Sequence, residues 1–250
     1  MQAFVPAAGL GTRLRPLTDK KPKALIEIGG EALLSHTINR LTQIGIDYIV
    51  VNIHHYGEQI IEYIAKRRWD AEIRMSDERE QLKDTGGGLK QAESLFRRGE
   101  TILIHNVDVI ANFDIRTMEK AHAGAIATLA VSKRGSTRQL LFDSRGQLSG
   151  WENQKTGERL MCHNGEARGL DRYAFSGIAM VEPEMIALLP KADMPYPIVP
   201  EYIKIARGHR VGYYEHKAEE WLDVGKTEAI EQAKKMIEQT HPYHIKKEQR

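Results

Sequence analysis

Residues 3–25 read AFVPAAGLGTRLRPLTDKKPKAL, and this stretch sets the expected class of fold. The apolar run 3–6 predicts a β-strand that leads directly into a loop containing Gly9 and Gly11. Two glycines just after a strand let the backbone approach a phosphate closely and direct its N–H groups at it. We therefore expect an α/β protein with an anion-binding loop at the end of its first strand.

Apolar runs and amphipathic segments alternate along the rest of the chain, as expected when parallel strands are joined by crossover helices. The continuously apolar run 101–105 is typical of a strand that is buried on both faces. The other predicted strands are residues 48–53, 72–75, 125–132, 174–181 and 211–215, and the predicted helices are 32–44, 57–65, a segment after residue 88, and 227–239.

The pattern weakens between residues 133 and 171, where short pieces rich in glycine and charge replace the alternation. This segment is too small to bury a core of its own, so we interpret it as an insertion over one edge of the sheet. We expect one domain over residues 1–240, followed by a flexible basic tail at 241–250.

The composition argues against several classes of protein. The 36 basic and 34 acidic residues among 250 nearly cancel, so no overall field draws the chain to nucleic acid or membrane. The single cysteine, Cys162, excludes an internal disulfide and a cysteine metal cluster. The first residues lack a signal-peptide pattern and no apolar run approaches a membrane span, so we expect a soluble, cytoplasmic protein. The patterning makes no prediction of oligomeric state.

Two cations stand close to the glycine loop. Arg13 follows the loop directly, and Lys23 comes ten residues later, behind the helix-breaking Pro22. Arginine can bind phosphate oxygens in a bidentate manner and lysine can add a point charge, as a triphosphate requires. A dinucleotide-binding fingerprint would need a third glycine where Leu14 stands, and this loop also lacks the Gly-Lys-Ser or Gly-Lys-Thr of a Walker motif.

The string 7–25 resembles the signature of the sugar-1-phosphate nucleotidyltransferases, G-x-G-T-R-x-x-P-L-T followed by P-K, and the resemblance extends to about residue 239. The resemblance implies a Rossmann-like α/β fold with a mixed, mostly parallel sheet flanked by helices. It also implies a nucleoside triphosphate and a sugar-1-phosphate as substrates, and Mg²⁺ held by two aspartates. Arg13 and Lys23 match the catalytic positions that contact the phosphates.

Two aspartates stand where such a metal site is expected. Asp108 follows the apolar strand 101–105, and Asp223 follows the late strand 211–215. Open α/β sheets bind ligands at the carboxyl ends of their strands, and Mg²⁺ commonly takes one or two carboxylates. Asp108 and Asp223 also match the family's two metal ligands. The family commonly has Asn-Gly-Asp at the first of them, so Val107 is a departure from its pattern.

Other positions match the family's nucleotide and sugar contacts. The turn 84–88, with its three glycines, looks most like the base-binding turn of the short N-acetylmuramate-1-phosphate uridylyltransferases, which favours UTP. The insertion 133–171 is then expected over the sugar site. Gly177 gives either room for the sugar ring or close strand packing. The nucleotide-binding candidates are Ala8, Gly9, Gly11, Thr12, Gly86, Gly87, Gly88 and Asn106, and the sugar-binding candidates are Glu152, Ser176 and Gly177.

Two alternatives stay open at this point. The first is a relative with another specificity, either a mannose-1-phosphate guanylyltransferase or a glucose-1-phosphate thymidylyl- or uridylyltransferase. The second is a sensor that binds nucleotide sugars without catalysis. Arg13, Lys23, Asp108 and Asp223 are all present, which favours an enzyme over a sensor.

Overall fold

The computed structural model describes residues 1–163 and 168–240. The strands of this part of the chain are β1 Gln2–Pro6, β2 Glu27–Ile28, β3 Glu31–Ala32, β4 Tyr48–Ile53, β5 Glu72–Asp77, β6 Ile102–His105, β7 Val109–Ala111, β8 Ala127–Ser132, β9 Arg138–Phe142, β10 Leu148–Asn153, β11 Arg159–Met161, β12 Asp171–Val181, β13 Val211–Glu215 and β14 Trp221–Asp223. The α-helices are α1 Leu33–Gln43, α2 Gly57–Ala65, α3 Asp84–Gln91, α4 Ile115–Ala121, α5 Pro183–Ala187, α6 Ile198–Ile205 and α7 Ala229–Thr240.

The central sheet has the strand order β5-β4-β1-β6-β12-β8-β13. Parallel pairs join β1 to β4 and β6, β4 to β5, and β8 to β13. Only β12 within this order runs antiparallel, to both β6 and β8. The predicted class, a mixed and mostly parallel sheet, is therefore confirmed.

Both faces of the sheet are covered by helices, which explains the continuous apolar runs of its central strands. Every residue of β4 and of β6 is buried. One core packs α1, α2, α4 and α7 against one face, and the other core packs α3, α5 and α6 against the opposite face. Such double coverage is what parallel sheets require, because each strand then has no polar face to present to water.

The segment 133–171 differs from its prediction. Its residues form the antiparallel strands β9, β10 and β11, and β9 pairs with the first residues of β12. The insertion is therefore hydrogen-bonded to the main sheet and extends it to ten strands instead of lying over one edge. Short strands separated by polar turns carry only a weak periodic signal, which is why the pattern was not recognised as strand.

Most of the other predicted elements lie within two or three residues of the observed ones, and Gly45 follows α1 with a φ of +90°, as a C-terminal glycine does. The glycines at 86–88 are an exception, because they lie inside α3 and not in a turn before it. No helix within residues 1–163 and 168–240 is long and apolar enough to cross a membrane. The predicted tail at 241–250 lies outside the described residues.

Candidate active site

A cleft of about 260 Å³ opens at the carboxyl ends of β1 and β6, the edge at which α/β sheets bind ligands. Its walls are formed by the glycine loop, the two cations and the turn after β6. The lining residues are Pro6, Ala7, Gly9, Gly11, Thr12, Arg13, Lys23, Thr85, Asn106, Val107, Asp108 and Gly225. The cleft thus brings together seven of the predicted site residues: Gly9, Gly11, Thr12, Arg13, Lys23, Asn106 and Asp108.

The glycine loop is held in one conformation by its own contacts. Gly11 has a φ of +63°, and a Cβ there would lie 2.8 Å from a methyl carbon of Thr18. The Thr18 hydroxyl donates to the Gly11 carbonyl at 2.9 Å, and the Leu14 N–H donates to the same oxygen. Among the residues that the structure describes, no heavy atom lies within 4 Å of the corresponding position at Gly9, so the backbone there is open to a ligand.

Asn52, at the end of β4, is a residue of the site that the sequence reading missed. Its Oδ1 accepts hydrogen bonds from the N–H groups of Ala7, at 2.6 Å, and Ala8, at 3.2 Å. The Ala8 amide, predicted to bind nucleotide, is therefore directed at Asn52. Asn52 Nδ2 donates in turn to the buried carboxylate of Glu78 at 2.7 Å. An asparagine near the end of an otherwise apolar strand was the only signal in the sequence.

The two aspartates are brought together by a small sheet that the sequence did not predict. Strands β7 and β14 pair antiparallel, with Asp223 opposite Val109. The N–H of Val224 also donates to the carbonyl oxygen of Asp108 at 2.8 Å. This backbone pairing, and not the end of β13, places Asp223 beside Asp108.

Each aspartate faces a cation from the glycine-loop segment. Lys23 forms an ion pair with Asp108 and is almost fully buried. The guanidinium of Arg13 lies 3.8 Å from Asp223. A Cβ at Gly225 would lie 2.6 Å from Arg13 Nη2 and 2.7 Å from Asp223 Oδ1, so a larger residue there would displace this pair. Gly225 is a further site residue whose role was not predicted.

The surroundings of Asp223 suit a cation. Burial raises the pKa of its carboxyl, and the nearby charge of Asp108 raises it further, against the opposing charges of Lys23 and Arg13. Its Oδ1 is buried and has no hydrogen-bond partner in the structure. A buried carboxylate oxygen without a partner is uncommon and costly, and it is the kind of atom that a metal ion satisfies.

The donor set also limits the kind of metal. Among the described residues, no group of three or more histidine, cysteine, aspartate or glutamate side chains could hold a metal ion. Asp108 and Asp223 alone would leave most coordination positions to water and phosphate oxygens. That is the usual arrangement for Mg²⁺ and differs from the closed sites that bind structural zinc.

Arg134 supports the site from beneath and was also missed. Its guanidinium carbon lies 3.7 Å from the ring centroid of Trp221, on the strand that ends at Asp223. The guanidinium donates to the carbonyl of Phe175 at 2.6 Å and to Ser176 Oγ at 3.1 Å. Burial lowers its pKa to about 10, and the charge of Asp223 acts in the opposite direction. Arg134 therefore ties β14 to β12.

The predicted sugar contacts are engaged with protein groups. Ser176 is fully buried, and its Oγ lies 2.7 Å from His216 Nε2 as well as beside Arg134. Gly177 has a φ of +69°, and a Cβ there would lie 2.7 Å from Asn106 Nδ2. Of the two interpretations of Gly177, close packing is the one that these contacts match. This close packing against Gly177 helps to position Asn106 at the cleft.

Glu152 is likewise engaged. Its side chain is buried, Oε1 accepts from Arg172 at 2.8 Å, and Oε2 accepts from Arg159 at 3.2 Å. Burial alone would raise the pKa of this carboxyl, but the hydrogen bonds and charges of the two arginines outweigh burial and lower it. Both carboxylate oxygens thus have partners before any sugar hydroxyl is present.

The three glycines of α3 also face protein. The N–H groups of Gly86 and Gly87 reach the carbonyl oxygen of Tyr196 at 3.0 and 3.3 Å. A Cβ at Gly86 would lie 2.6 Å from the Tyr196 ring, and one at Gly88 would lie 2.5 Å from a carboxylate oxygen of Glu78. The predicted turn is therefore corrected, because the three glycines lie within helix α3 and pack against protein, while their contact with the base stays a prediction.

The fold and the cleft define the class of protein, an α/β enzyme of nucleotidyl transfer. The chain belongs to the nucleotidyl transferase family, whose model matches residues 2–138. It is 32% identical to the N-acetylmuramate alpha-1-phosphate uridylyltransferase of Caulobacter vibrioides over 220 residues, which cover 84% of this chain and 86% of that protein. The family predicted from the sequence is thus confirmed.

Two further relatives show how far the likeness extends. The mannose-1-phosphate guanylyltransferase catalytic subunit beta of Dictyostelium discoideum is 32% identical over 137 residues, which cover 53% of this chain and 38% of that protein. The crystal structure of HddC from Yersinia pseudotuberculosis, complexed with GMP-PN, superposes with a TM-score of 0.75 at 17% identity and covers 94% of this chain and 98% of that one. The latter likeness concerns the fold alone.

Proposed function

We propose that this protein transfers the uridylyl group of UTP to a sugar-1-phosphate, with N-acetylmuramate-1-phosphate as the favoured acceptor, and releases pyrophosphate. The observation that carries the proposal is the cleft itself. A glycine loop, two cations and two carboxylates converge at one end of the sheet. The likeness to the Caulobacter uridylyltransferase, which extends over most of both chains, supports the base and the acceptor.

Asp108 and Asp223 would hold Mg²⁺, which when bound would neutralise phosphate charge and polarise the phosphate oxygens. The sugar phosphate is already an anion, so it can attack the α-phosphorus without a protein base. The new bond joins its oxygen to the α-phosphorus, and the bond to the bridging oxygen of the β-phosphate breaks. The electron pair of that bond leaves with pyrophosphate.

The chain's own side chains contribute position and charge. The side chain of Arg13 is more than half exposed at the cleft, so its guanidinium can reorient to bind the triphosphate. Lys23 holds Asp108 in place and lends its positive charge to the departing phosphates. Catalysis then rests on orientation and on electrostatic stabilisation of the transition state. The cytoplasmic location and cell-wall role that such a substrate implies belong to the same proposal.

A second candidate is transfer of guanylyl to mannose-1-phosphate. The Dictyostelium guanylyltransferase favours it, because its identity to this chain equals that of the uridylyltransferase over the aligned part. The aligned part covers only 53% of this chain, however, and 38% of that protein.

The test is pyrophosphate release with Mg²⁺ over a panel that pairs UTP, GTP, dTTP and CTP with several sugar-1-phosphates. We expect release with UTP and N-acetylmuramate-1-phosphate. Release confined to GTP and mannose-1-phosphate would move the protein to the second candidate. No release with any pair, while a nucleotide sugar still binds, would favour the sensor over the enzyme.

A further inference from the structure

A buried polar pair, Asn52 and Glu78, lies beneath the glycine loop. Asn52 is 2% exposed and Glu78 is 1% exposed, so neither side chain reaches solvent. The Asn52 amide bridges the N–H groups of Ala7 and Ala8 on one side to the Glu78 carboxylate on the other. Because buried polar groups are costly without partners, the three hydrogen bonds constrain one another.

The second oxygen of Glu78 extends the chain of hydrogen bonds to α3. Oε2 accepts from the N–H of Lys83, the residue before this helix, at 3.0 Å. The backbone of α3 also packs directly on the pair, since a Cβ at Gly88 would lie 2.5 Å from Glu78 Oε1 and 2.8 Å from Asn52 Nδ2. The pair therefore connects two walls of the cleft, to which Ala7 and Thr85 belong.

The donors and acceptors in this series of hydrogen bonds permit only one orientation of the Asn52 amide. Both partners of the Glu78 carboxylate are donors, and both partners of Asn52 Oδ1 are donors. An ionised carboxylate accepts at both oxygens, whereas a primary amide accepts at one end and donates at the other. Glu78 thus requires the NH₂ of Asn52 to face it, and that requirement turns Oδ1 toward the glycine loop.

We propose that Glu78 is a positioning residue: acting through Asn52, it sets the backbone of Ala7 and Ala8 and hence the shape of the nucleotide-binding loop. The kinetic part of this inference rests on the proposed function. The sequence pattern does not indicate it, because Asn52 lies in β4, Glu78 follows β5 and neither lines the cleft.

The first test is Glu78→Gln, which keeps the shape of the side chain and removes one acceptor. The new NH₂ group then faces another donor, which is either Asn52 Nδ2 or the Lys83 N–H. Alternatively, the Asn52 amide flips and presents its own NH₂ group to the N–H groups of the glycine loop. We expect KM for UTP to rise about tenfold, on the order of the cost of one unpaired buried donor, with a smaller change in kcat. Glu80→Gln, at an exposed neighbour, removes the same charge and should leave both constants unchanged.

The second test exchanges the two groups in the double variant Asn52→Asp with Glu78→Gln. The carboxylate at position 52 can accept from Ala7, Ala8 and the amide at position 78, whose oxygen can accept from Lys83. Every hydrogen bond is restored with the same net charge. We expect KM for UTP to return to within about twofold of the wild type, whereas Asn52→Asp alone sets two carboxylates against each other and impairs binding.

A direct contact between Glu78 and the nucleotide would give a different result, because the double variant would then not restore KM for UTP. A double variant no better than the poorer single variant would overturn the inference. Amide hydrogen exchange at Ala7 and Ala8 reads the same coupling without substrate: it should be faster in each single variant and slow again in the double variant. If the wild type releases no pyrophosphate but the variants show this pattern of amide hydrogen exchange, the proposed function is wrong and the positioning role of Glu78 stands.

Discussion

Asp223 combines two properties at the scale of a single residue. Its Oδ1 is buried and has no hydrogen-bond partner among the described residues, and the charge of Asp108 raises the pKa of its carboxyl. In the absence of metal this arrangement costs stability, because two like charges face each other where water is partly excluded. Groups that are unfavourable in the resting protein and favourable with a ligand are typical of active sites.

Asp223→Asn should therefore separate stability from activity. We expect the melting temperature without divalent metal to rise by up to about 2 °C, the shift that about 0.5 kcal/mol produces in a chain of this size. Turnover should fall about 100-fold or more, since the charge that holds the metal is lost. Calorimetry and the pyrophosphate assay measure the two effects, and Asp70→Asn, at an exposed turn, is the control.

Addition of Mg²⁺ sharpens this comparison. A ligand that binds only the folded state raises its stability, so the wild type should melt at a higher temperature with Mg²⁺ and Asp223→Asn should not. Equal shifts in both proteins would mean that the metal binds elsewhere.

The element that gains most from its glycines is α3. A helix with three consecutive glycines is weak by propensity, because each glycine costs roughly 1 kcal/mol relative to alanine. Here the missing side chains let the Tyr196 segment and the Asn52–Glu78 pair approach the helix backbone. The run of glycines therefore allows close packing, and the predicted contact of these glycines with the base stays a prediction.

Gly86→Ala tests the packing of α3. The new methyl group would overlap the Tyr196 ring, and overpacking of this kind costs about 1–3 kcal/mol in spite of the better helix propensity. We expect the melting temperature to fall by about 2–12 °C. Gly208→Ala is the matched control, since no heavy atom lies within 4 Å of its Cβ position. A rise in melting temperature at position 86 would show that propensity outweighs the contact.

At the scale of the whole molecule, the insertion and the main sheet are joined through Glu152. Its carboxylate on β10 binds Arg159 on β11 and Arg172 on β12, so one side chain connects three strands. The arginines are partly exposed while the carboxylate is buried. Removal of its charge should loosen the junction, not the cleft.

Glu152→Gln should lower the melting temperature at pH 7 and leave KM for the sugar phosphate unchanged. The pKa of Glu152 is lowered in the folded protein, so its contribution to stability is present above the unfolded pKa of about 4.3 and is lost as the pH falls through the lower folded value. The gap between variant and wild type should thus close below about pH 4. A changed KM with an unchanged melting temperature would instead support the predicted sugar contact.

The sequence predicted those parts of the site that are determined by residues close together in the chain. The strand β1, its glycine loop and the aspartate after β6 follow from neighbouring residues, because a turn after a parallel strand points to the same edge wherever the strand lies. The position of Asp223 depends on the β7–β14 pairing, and that of Arg134 depends on the carbonyl of Phe175, far along the chain. Partners so distant in sequence leave no periodic signal, which is why these features were missed.

The most direct test of the central claim follows the phosphorus atoms. Wild-type protein, Mg²⁺ and N-acetylmuramate-1-phosphate are incubated with UTP labelled at either the α- or the γ-phosphorus, and the products are separated. Attack at the α-phosphorus predicts that the α-label appears in the nucleotide sugar and the γ-label in pyrophosphate. Asp223→Asn should form both products at least about 100-fold more slowly. An α-label that ends in free UMP, or a γ-label that ends on the sugar, would contradict the account.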